Sequence, residues 1–317
     1  MTDRSNPHLR SAYGGPGWQP RTQSLTDELG SLWADCGANS EYAPLDRVLL
    51  HRPGPELAAS DDPASVQMLE SLDIELAQTQ HDNLASCYQN NSVNVSYVEP
   101  RQARPNQMFL ADLMFMTPQG VILARPASTV RAGEEVEVSA ALGRLNIPVL
   151  GSVHGHGIFE GADAIWITPD KVMLGRGLRS NQEGLRQVAL LLDSIGVETI
   201  VTDMPIGTMH LMGQLRILDQ NLALAWPTRL AIRAVECLRY VGMEVAMLPD
   251  EQEALSGYAL NMVTLAPRKV MMCRGNTATI KLLQSHGVEC IEVEMSELGK
   301  AAGSIGCLTA ILKRRLV

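Results

Sequence analysis

The sequence predicts an α/β ring of five units, on two observations: an apolar run that recurs about every 50 residues, and polar side chains that recur at fixed distances before it. The runs are Val121-Ile-Leu-Ala-Arg125-Pro, Val172-Met-Leu-Gly-Arg176-Gly, Leu222-Ala-Leu-Ala-Trp226-Pro and Val270-Met-Met-Cys-Arg274-Gly, with a fifth copy at Val48-Leu-Leu-His-Arg52-Pro. Nine residues before the run stand Asp112, Asp163, Gly213 and Asn261; twelve before it stand Phe109, Glu160, His210 and Tyr258. Repeats closed into a ring bring equivalent positions to the axis. The register therefore predicts a central site holding Asp112, Glu160, Asp163, His210 and Asn261. A solenoid or an unrelated α/β sheet is the alternative, but five units of equal size suit a closed ring better.

Residues 1–40 are rich in Gly, Pro, Ser and Asn around Tyr13-Gly-Gly-Pro-Gly-Trp18 and read as an irregular arm. Residues 41–317 read as one domain. Its first unit has the strand Val48 to Leu50, a turn at Arg52-Pro-Gly-Pro, a helix within Pro63 to Cys87 and the strand Val93 to Val98. The unit after Arg125-Pro runs as a helix to Asn146, a tolerated helix-ending residue. After Arg176-Gly, Ser180-Asn181 offers an N-cap, a helix covers Glu183 to Ile195, Gly196 stops it and Val197 to Val201 is extended. After Trp226-Pro a helix runs to Val241, Gly242 ends it and Met243 to Leu248 is extended. The last helix ends at His286 before Gly287 and the strand Val288 to Val293. The unit at Val48 lacks its preceding strand, and Leu308-Thr-Ala-Ile-Leu312 can supply it. That closure joins the two chain ends and places Cys307 at the phase of His210 and Glu160.

Composition narrows the partners. Hydrophobic residues make up 45% of the 317 but aromatics only 4%, so Leu, Val, Ile, Ala and the 15 Met must fill the core. A net charge of −9 argues against nucleic acid or an anionic membrane and favours a small substrate. Cys36, Cys87, Cys237, Cys273, Cys290 and Cys307 show no CxxC or regular spacing, so a disulfide framework is not expected. The N-terminus lacks a signal-peptide core and no segment reaches about 18 uninterrupted apolar residues, which together suggest a soluble cytoplasmic protein. A homo-oligomer is compatible with the sequence, which does not specify one.

A thiol, an imidazole and several carboxylates about one axis suit nucleophilic attack on a cationic electrophile. Carboxylates beside a carbonyl would repel the developing oxyanion, whereas a guanidinium stays protonated and its planar N–H fork pairs best with carboxylates. Cys307 is then the expected nucleophile, because a cationic neighbour can generate its thiolate near neutral pH. His210 would protonate the departing amine and then take a proton from water, with Glu160 orienting and charging its ring. The intermediate would be an S-alkylthiouronium on Cys307. No cofactor is needed. His154-x-His156 followed by Glu160 has the look of a metal set, but it lies in a Gly-rich loop and Glu160 belongs to the repeat register, so no metal site is expected.

Val48-Leu-Leu-His-Arg-Pro-Gly-Pro-Glu56, Phe109-Leu-Ala-Asp112, Phe159-Glu-Gly-Ala-Asp163, Arg179-Ser-Asn181, Met209-His-Leu211 and Gly303-Ser-Ile-Gly-Cys307-Leu-Thr309, in this order from about residue 45 to the end, resemble the guanidino-group modifying superfamily. That superfamily contains arginine deiminases, dimethylarginine dimethylaminohydrolases and amidinotransferases. The resemblance implies a five-bladed α/β propeller, the pentein fold, with Cys307, His210 and Glu160 as the catalytic set and Asp112 as a guanidinium ligand. It places Arg179 on a substrate carboxylate, with Ser180 where the family has Thr. Arginine deiminases and many amidinotransferases carry Arg and Asp where this chain has Ala111 and Met212; Ala162 also stands for a usual Gly. Dimethylaminohydrolases lack both charged residues too, which tilts the expectation towards hydrolysis of a substituted or atypical guanidine.

Other readings stand beside this one. Asp112 or Asp163 could be a turn residue, His210 a satisfied core histidine and Cys307 a small buried hydrophobe. Arg52, Arg125, Arg176 and Arg274 recur at a structural phase and are expected to brace the blades; Arg131 is a further substrate candidate. An amidinotransferase would use the same residues but pass the amidino group to an amine, and a binding protein on the same ring would need no nucleophile.

Overall fold

The computed structural model describes residues 6–317. Among them, five three-stranded sheets stand as the blades of a propeller. Four are continuous in the chain: Met114–Thr117 with Gly120–Leu123 and Val149–Ser152; Ala164–Thr168 with Lys171–Arg176 and Glu198–Asp203; Leu215–Asp219 with Leu222–Ala225 and Glu244–Met247; and Val263–Ala266 with Lys269–Cys273 and Glu289–Val293. In each, the middle strand is the apolar run of the repeat, antiparallel to the strand before it and parallel to the strand after the helix. Burial on both faces explains why these runs are continuously apolar rather than alternating.

The closing blade joins the chain ends. Leu45–Leu50 pairs in parallel with Asn94–Tyr97 and antiparallel with Ala310–Arg314, Val48 facing Ile311. The C-terminal strand starts two residues later than the apolar pattern suggests, because Ile305–Leu308 forms a helical turn first. In this closing blade, only the helix Ile74–Asn90 fills the segment read as Pro63 to Cys87; Pro63–Val66 is a separate short 3₁₀ turn begun by Asp62. The chain joins the propeller earlier than residue 41. Cys36 and Ala38 are buried among the strands of the first full blade, the Gly37 N–H donates to Leu312 O, and the Asn39 amide pairs with the backbone of Val317.

Outer helices cover the blades. Gln182–Asp193 is capped by Asn181, whose side chain accepts from the Gly184 N–H, and it buries Leu185, Val188 and Leu192 against the second full blade. Each such side chain contributes about 2 kcal/mol of burial. Gly196 and, in the equivalent place, Asn146 adopt left-handed φ of 80° and 57°, turning the chain from helix into outer strand. At the ends of the middle strands, Arg52 pairs with Asp82 and Arg176 with Asp203, both two-pronged, while Arg125 donates to Gly157 O. These arginines brace the frame. No described helix is long and apolar enough to cross a membrane.

Candidate active site

The polar residues of the repeat sit on short turns that lead into the inner strands. Leu110–Asp112, Gly161–Asp163 and Leu211–Gly213 are 3₁₀ turns whose N-cap residues are Phe109, Glu160 and His210. One backbone device therefore delivers a cap side chain and, three residues on, a second side chain to the axis. The closing blade repeats it, with Ser304 as N-cap of Ile305–Leu308. Cys307 is thus three residues past a cap. It shares the phase of Asp112, Asp163, Gly213 and Asn261, not that of His210 and Glu160 as the sequence suggested, because the turn before the C-terminal strand sets the register.

His210 Nε2 lies 2.6 Å from Glu160 Oε2, and both side chains are buried. The other Glu160 oxygen accepts from the Ala127 N–H at 3.0 Å and meets Arg179 Nη1 at 3.4 Å. His210 Nδ1 faces Asp112 Oδ1 at 3.7 Å. Burial alone would discharge the imidazole, but Asp112, the Glu160 bond and Asp163 raise its pKa above the ordinary histidine value. The same bond holds Glu160 below the usual carboxylate range in spite of its burial. The ring is therefore cationic at neutral pH.

Asp112 has two different oxygens. Its Oδ2 accepts from Arg131 Nη1 at 2.6 Å, while Oδ1 is buried with no hydrogen-bond donor among the described residues. Arg131 is itself committed, through Nε to Glu134 at 2.9 Å and through Nη2 to Phe109 O at 3.3 Å. The donor atoms of Asp112, Glu160 and His210 are close enough to suit a metal ion, but Arg131 Nη1 lies 2.6 Å from Asp112 and 3.5 Å from Glu160 and already supplies the cation there. His154 and His156 are exposed on their loop while Glu160 is wholly buried.

Cys307 is held by Asn261, whose Oδ1 accepts from the Cys307 N–H at 3.1 Å and whose Nδ2 donates to Sγ at 2.9 Å. Asn261, expected in the central site, is there and clamps the thiol with its amide. Burial and the charge of Asp112 push the Cys307 thiol up to about 11, against the opposing pull of Asn261, so it rests protonated. Asp163 is a departure. Its Oδ2 accepts from Ser180 Oγ at 2.6 Å and its Oδ1 from the Leu211 N–H at 3.0 Å, so it ties the second full blade to the third and has no oxygen left for a ligand. Burial raises it to about 7.

Two further residues at the site, Glu134 and Arg216, were not read from the sequence, and Tyr258 was read only as a repeat position. Glu134 backs Arg131, and its one signal is the three-residue spacing between them. Arg216 stands behind the turn that carries Cys307: its Nε donates to Leu260 O at 2.7 Å, and its Nη2 is buried with no acceptor among the described residues. A Cβ on Gly306 would fall 2.2 Å from that Nη2, so only glycine lets the guanidinium approach the turn carrying Cys307. An arginine among the apolar residues 215–218 of the strand Leu215–Asp219 was its available signal. Tyr258, at the cap phase of the fourth full blade, lines the cleft beside Cys307 and donates to Gly299 O at 2.7 Å.

Two hollows meet at Cys307. One, of about 20 Å³, is bordered by Asp112, Arg131, Arg179, Asn106 and Phe109. The other, of about 210 Å³, runs from His210 and Cys307 outward between the third and fourth full blades. Met209, Ala302 and Cys307 border both.

Cys307, clamped by Asn261, and the ion-paired His210 border one hollow inside a five-bladed α/β propeller. Comparisons with known proteins find the same fold. Residues 235–314 match the family model for arginine deiminase. The chain is 26% identical over 237 residues to the N(G),N(G)-dimethylarginine dimethylaminohydrolase of Pseudomonas aeruginosa, covering 75% of this chain and 89% of that protein. A solved structure of the Pseudomonas aeruginosa enzyme with citrulline superposes with a TM-score of 0.71 at 23% identity, over 86% of this chain and all of that one. The N-terminal domain of ArgZ, a cyanobacterial arginine dihydrolase bound to substrate, gives a TM-score of 0.75 at 20% identity, over 86% of this chain and 99% of that one. The chain is thus similar to members of the guanidino-group modifying superfamily, dimethylaminohydrolases among them, and shares their fold.

Proposed function

We propose that the chain is a cysteine-dependent hydrolase of a substituted, arginine-type guanidine, acting through an S-alkylthiouronium on Cys307. The observation that carries this reading is Asp112 Oδ1, a buried carboxylate oxygen with no hydrogen-bond donor among the described residues, in a side chain that borders the same hollow as Cys307, 3.7 Å from His210 Nδ1. A guanidinium N–H fits that oxygen, and its positive charge offsets the burial that keeps the thiol protonated. Arg179, half-committed to Glu160, is the group placed to meet a substrate carboxylate.

On substrate binding Cys307 loses its proton to solvent and the thiolate attacks the guanidinium carbon. The C–S bond forms, His210 gives its proton to one nitrogen, and that nitrogen leaves with the C–N electron pair as an amine. The neutral imidazole then takes one proton from water, the oxygen adds to the thiouronium carbon, and the C–S bond breaks as the new hydroxyl gives its remaining proton to solvent, leaving a ureido product and the thiolate. Glu160 holds the ring and its charge through the cycle. Asn261 steers Sγ, and Asp112 holds the electrophile.

Intact-mass measurement after incubation with a panel of guanidines tests the reading. A covalent mass on the wild type that is absent in Cys307→Ser, with amine released when no acceptor amine is added, is expected. No adduct and no turnover with any guanidine would overturn it, and turnover that requires an added amine would make the protein an amidinotransferase.

A further inference from the structure

We infer that the guanidine this site takes carries, on the nitrogen that leaves, an apolar substituent larger than methyl. The inference rests on the hydrolase reading above and specifies its substrate. Its basis is the contrast between the two hollows that meet at Cys307.

On the Asp112 side the space is about 20 Å³ and the walls carry Arg131, Arg179 and Asn106. That side suits the guanidinium nitrogens and a charged tail. On the His210 side the space is about 210 Å³, and its walls include Met212, Trp226, Leu255, Tyr258 and Leu260. An apolar cavity of about 150 Å³ admits a benzene ring. Two methyl groups would leave most of the larger hollow filled with water against apolar walls, whereas a propyl or benzyl group would cover them.

Two features make this hollow large. Met212 and Gly213, which end the His210 turn, both face it, and neither brings a charge. At Gly213 an added Cβ would meet no heavy atom within 4 Å, so the backbone leaves that space open. Arg229 lies 5.3 Å over the Trp226 ring and holds the indole as a flat wall at the outer end.

The position of His210 decides which nitrogen bears the group. His210 borders the large hollow, and it is the proton donor in the proposed step. The nitrogen beside it takes the proton and breaks from carbon, so its substituent departs as a primary amine, RNH2. The remaining carbon stays on Cys307 as a thiouronium until water releases it as the ureido product. The electron and proton count is that of the step already described.

The test is the specificity constant across Nω-substituted arginines bearing methyl, propyl and benzyl groups, with dimethylarginine as reference, read by release of each amine. Burial of each methylene is worth about fourfold, so kcat/KM for propyl, with two more methylenes, should exceed that for methyl by about fifteenfold. A steady fall from methyl to benzyl overturns the inference. Gly213→Val, which fills the hollow from its wall, should lower the propyl-to-methyl ratio by about tenfold; an unchanged ratio also overturns it. Labelling of Cys307 by iodoacetamide and the circular dichroism spectrum report whether the variant is folded. The hydrolase reading fails separately, when no guanidine of any size leaves a mass on Cys307; the substituent inference fails alone when the small guanidines are turned over best.

Discussion

The turns Gly161–Asp163 and Leu211–Gly213 occupy equivalent places in adjacent blades and have the same backbone form, yet they do opposite work with their last residue. At Asp163 the side chain fills the interior and is consumed by Ser180 and the Leu211 N–H. At Gly213 there is no side chain, and the space opens as the wall of the large hollow. Their caps, Glu160 and His210, meet at 2.6 Å. The repeat thus fixes where a side chain is delivered, and the residue at that place decides whether it serves the frame, the chemistry or the ligand.

The largest way to break the comparison is at the caps. His210→Asn should lower kcat by about 1,000-fold, since general acid–base groups contribute roughly 100- to 10,000-fold. Glu160→Gln should cost nearly as much, because it leaves an imidazole without its ion pair; steady-state kinetics with the best guanidine measures both. A loss below about tenfold in either would remove them from the chemistry.

Next come the residues that close the frame. Gly161→Ala places a methyl 2.1 Å from Met114 O and should destabilise the fold by about 3 kcal/mol, whereas Gly213→Ala meets open space and should change stability by less than about 0.5 kcal/mol. Urea denaturation separates them. Asp163→Ala leaves Ser180 and the Leu211 N–H unpaired and should cost about 2 kcal/mol. Asp163→Asn keeps the shape and gives a sign. Because burial raises Asp163 from an unfolded value near 3.8 to about 7, the native state favours the protonated form; that contribution is full below about 4 and lost as pH rises through about 7. The Asn variant, always neutral, should therefore gain stability relative to wild type as pH rises across that window. A constant difference would show that Asp163 is ionised throughout.

The smallest effect concerns the nucleophile. Iodoacetamide labelling of Cys307 in the free protein should keep rising with pH up to about 11. Arg216→Met, which removes the buried cation behind the thiol turn, should move that profile to still higher pH with little change in stability. An unmoved profile would leave Arg216 as packing alone.

Much of this was legible in one sequence. The five apolar runs became the five middle strands, and the cap and third-residue phases converge, because strand burial and ring closure act on every unit alike. Glycine and asparagine helix stops were legible for the same local reason. What could not be read depended on contacts between units. Nothing local distinguishes Asp112, with an unpaired oxygen, from Asp163, with none; the difference is made by Ser180 and Leu211 from other turns. Asn261 was placed correctly on the axis, but its hold on Cys307 depends on the fourth full blade meeting the closing one. The register of Cys307 was misread because the turn before the C-terminal strand consumes residues that the apolar pattern assigned to the strand. The start of the propeller was set too late, since Cys36 and Ala38 are buried by a strand far away in sequence.

The closing blade has a consequence for the order in which function appears. Leu45–Leu50 and Ala310–Arg314 must find each other across nearly the whole chain, the most distant strand pairing among the described residues and the kind that forms slowly. The thiol rides on the turn just before that second strand, while its clamp and its proton donor belong to blades that are continuous in the chain. On the proposed chemistry, opening of this one seam would part the sulfur from the imidazole and the amide, so activity would gauge ring closure.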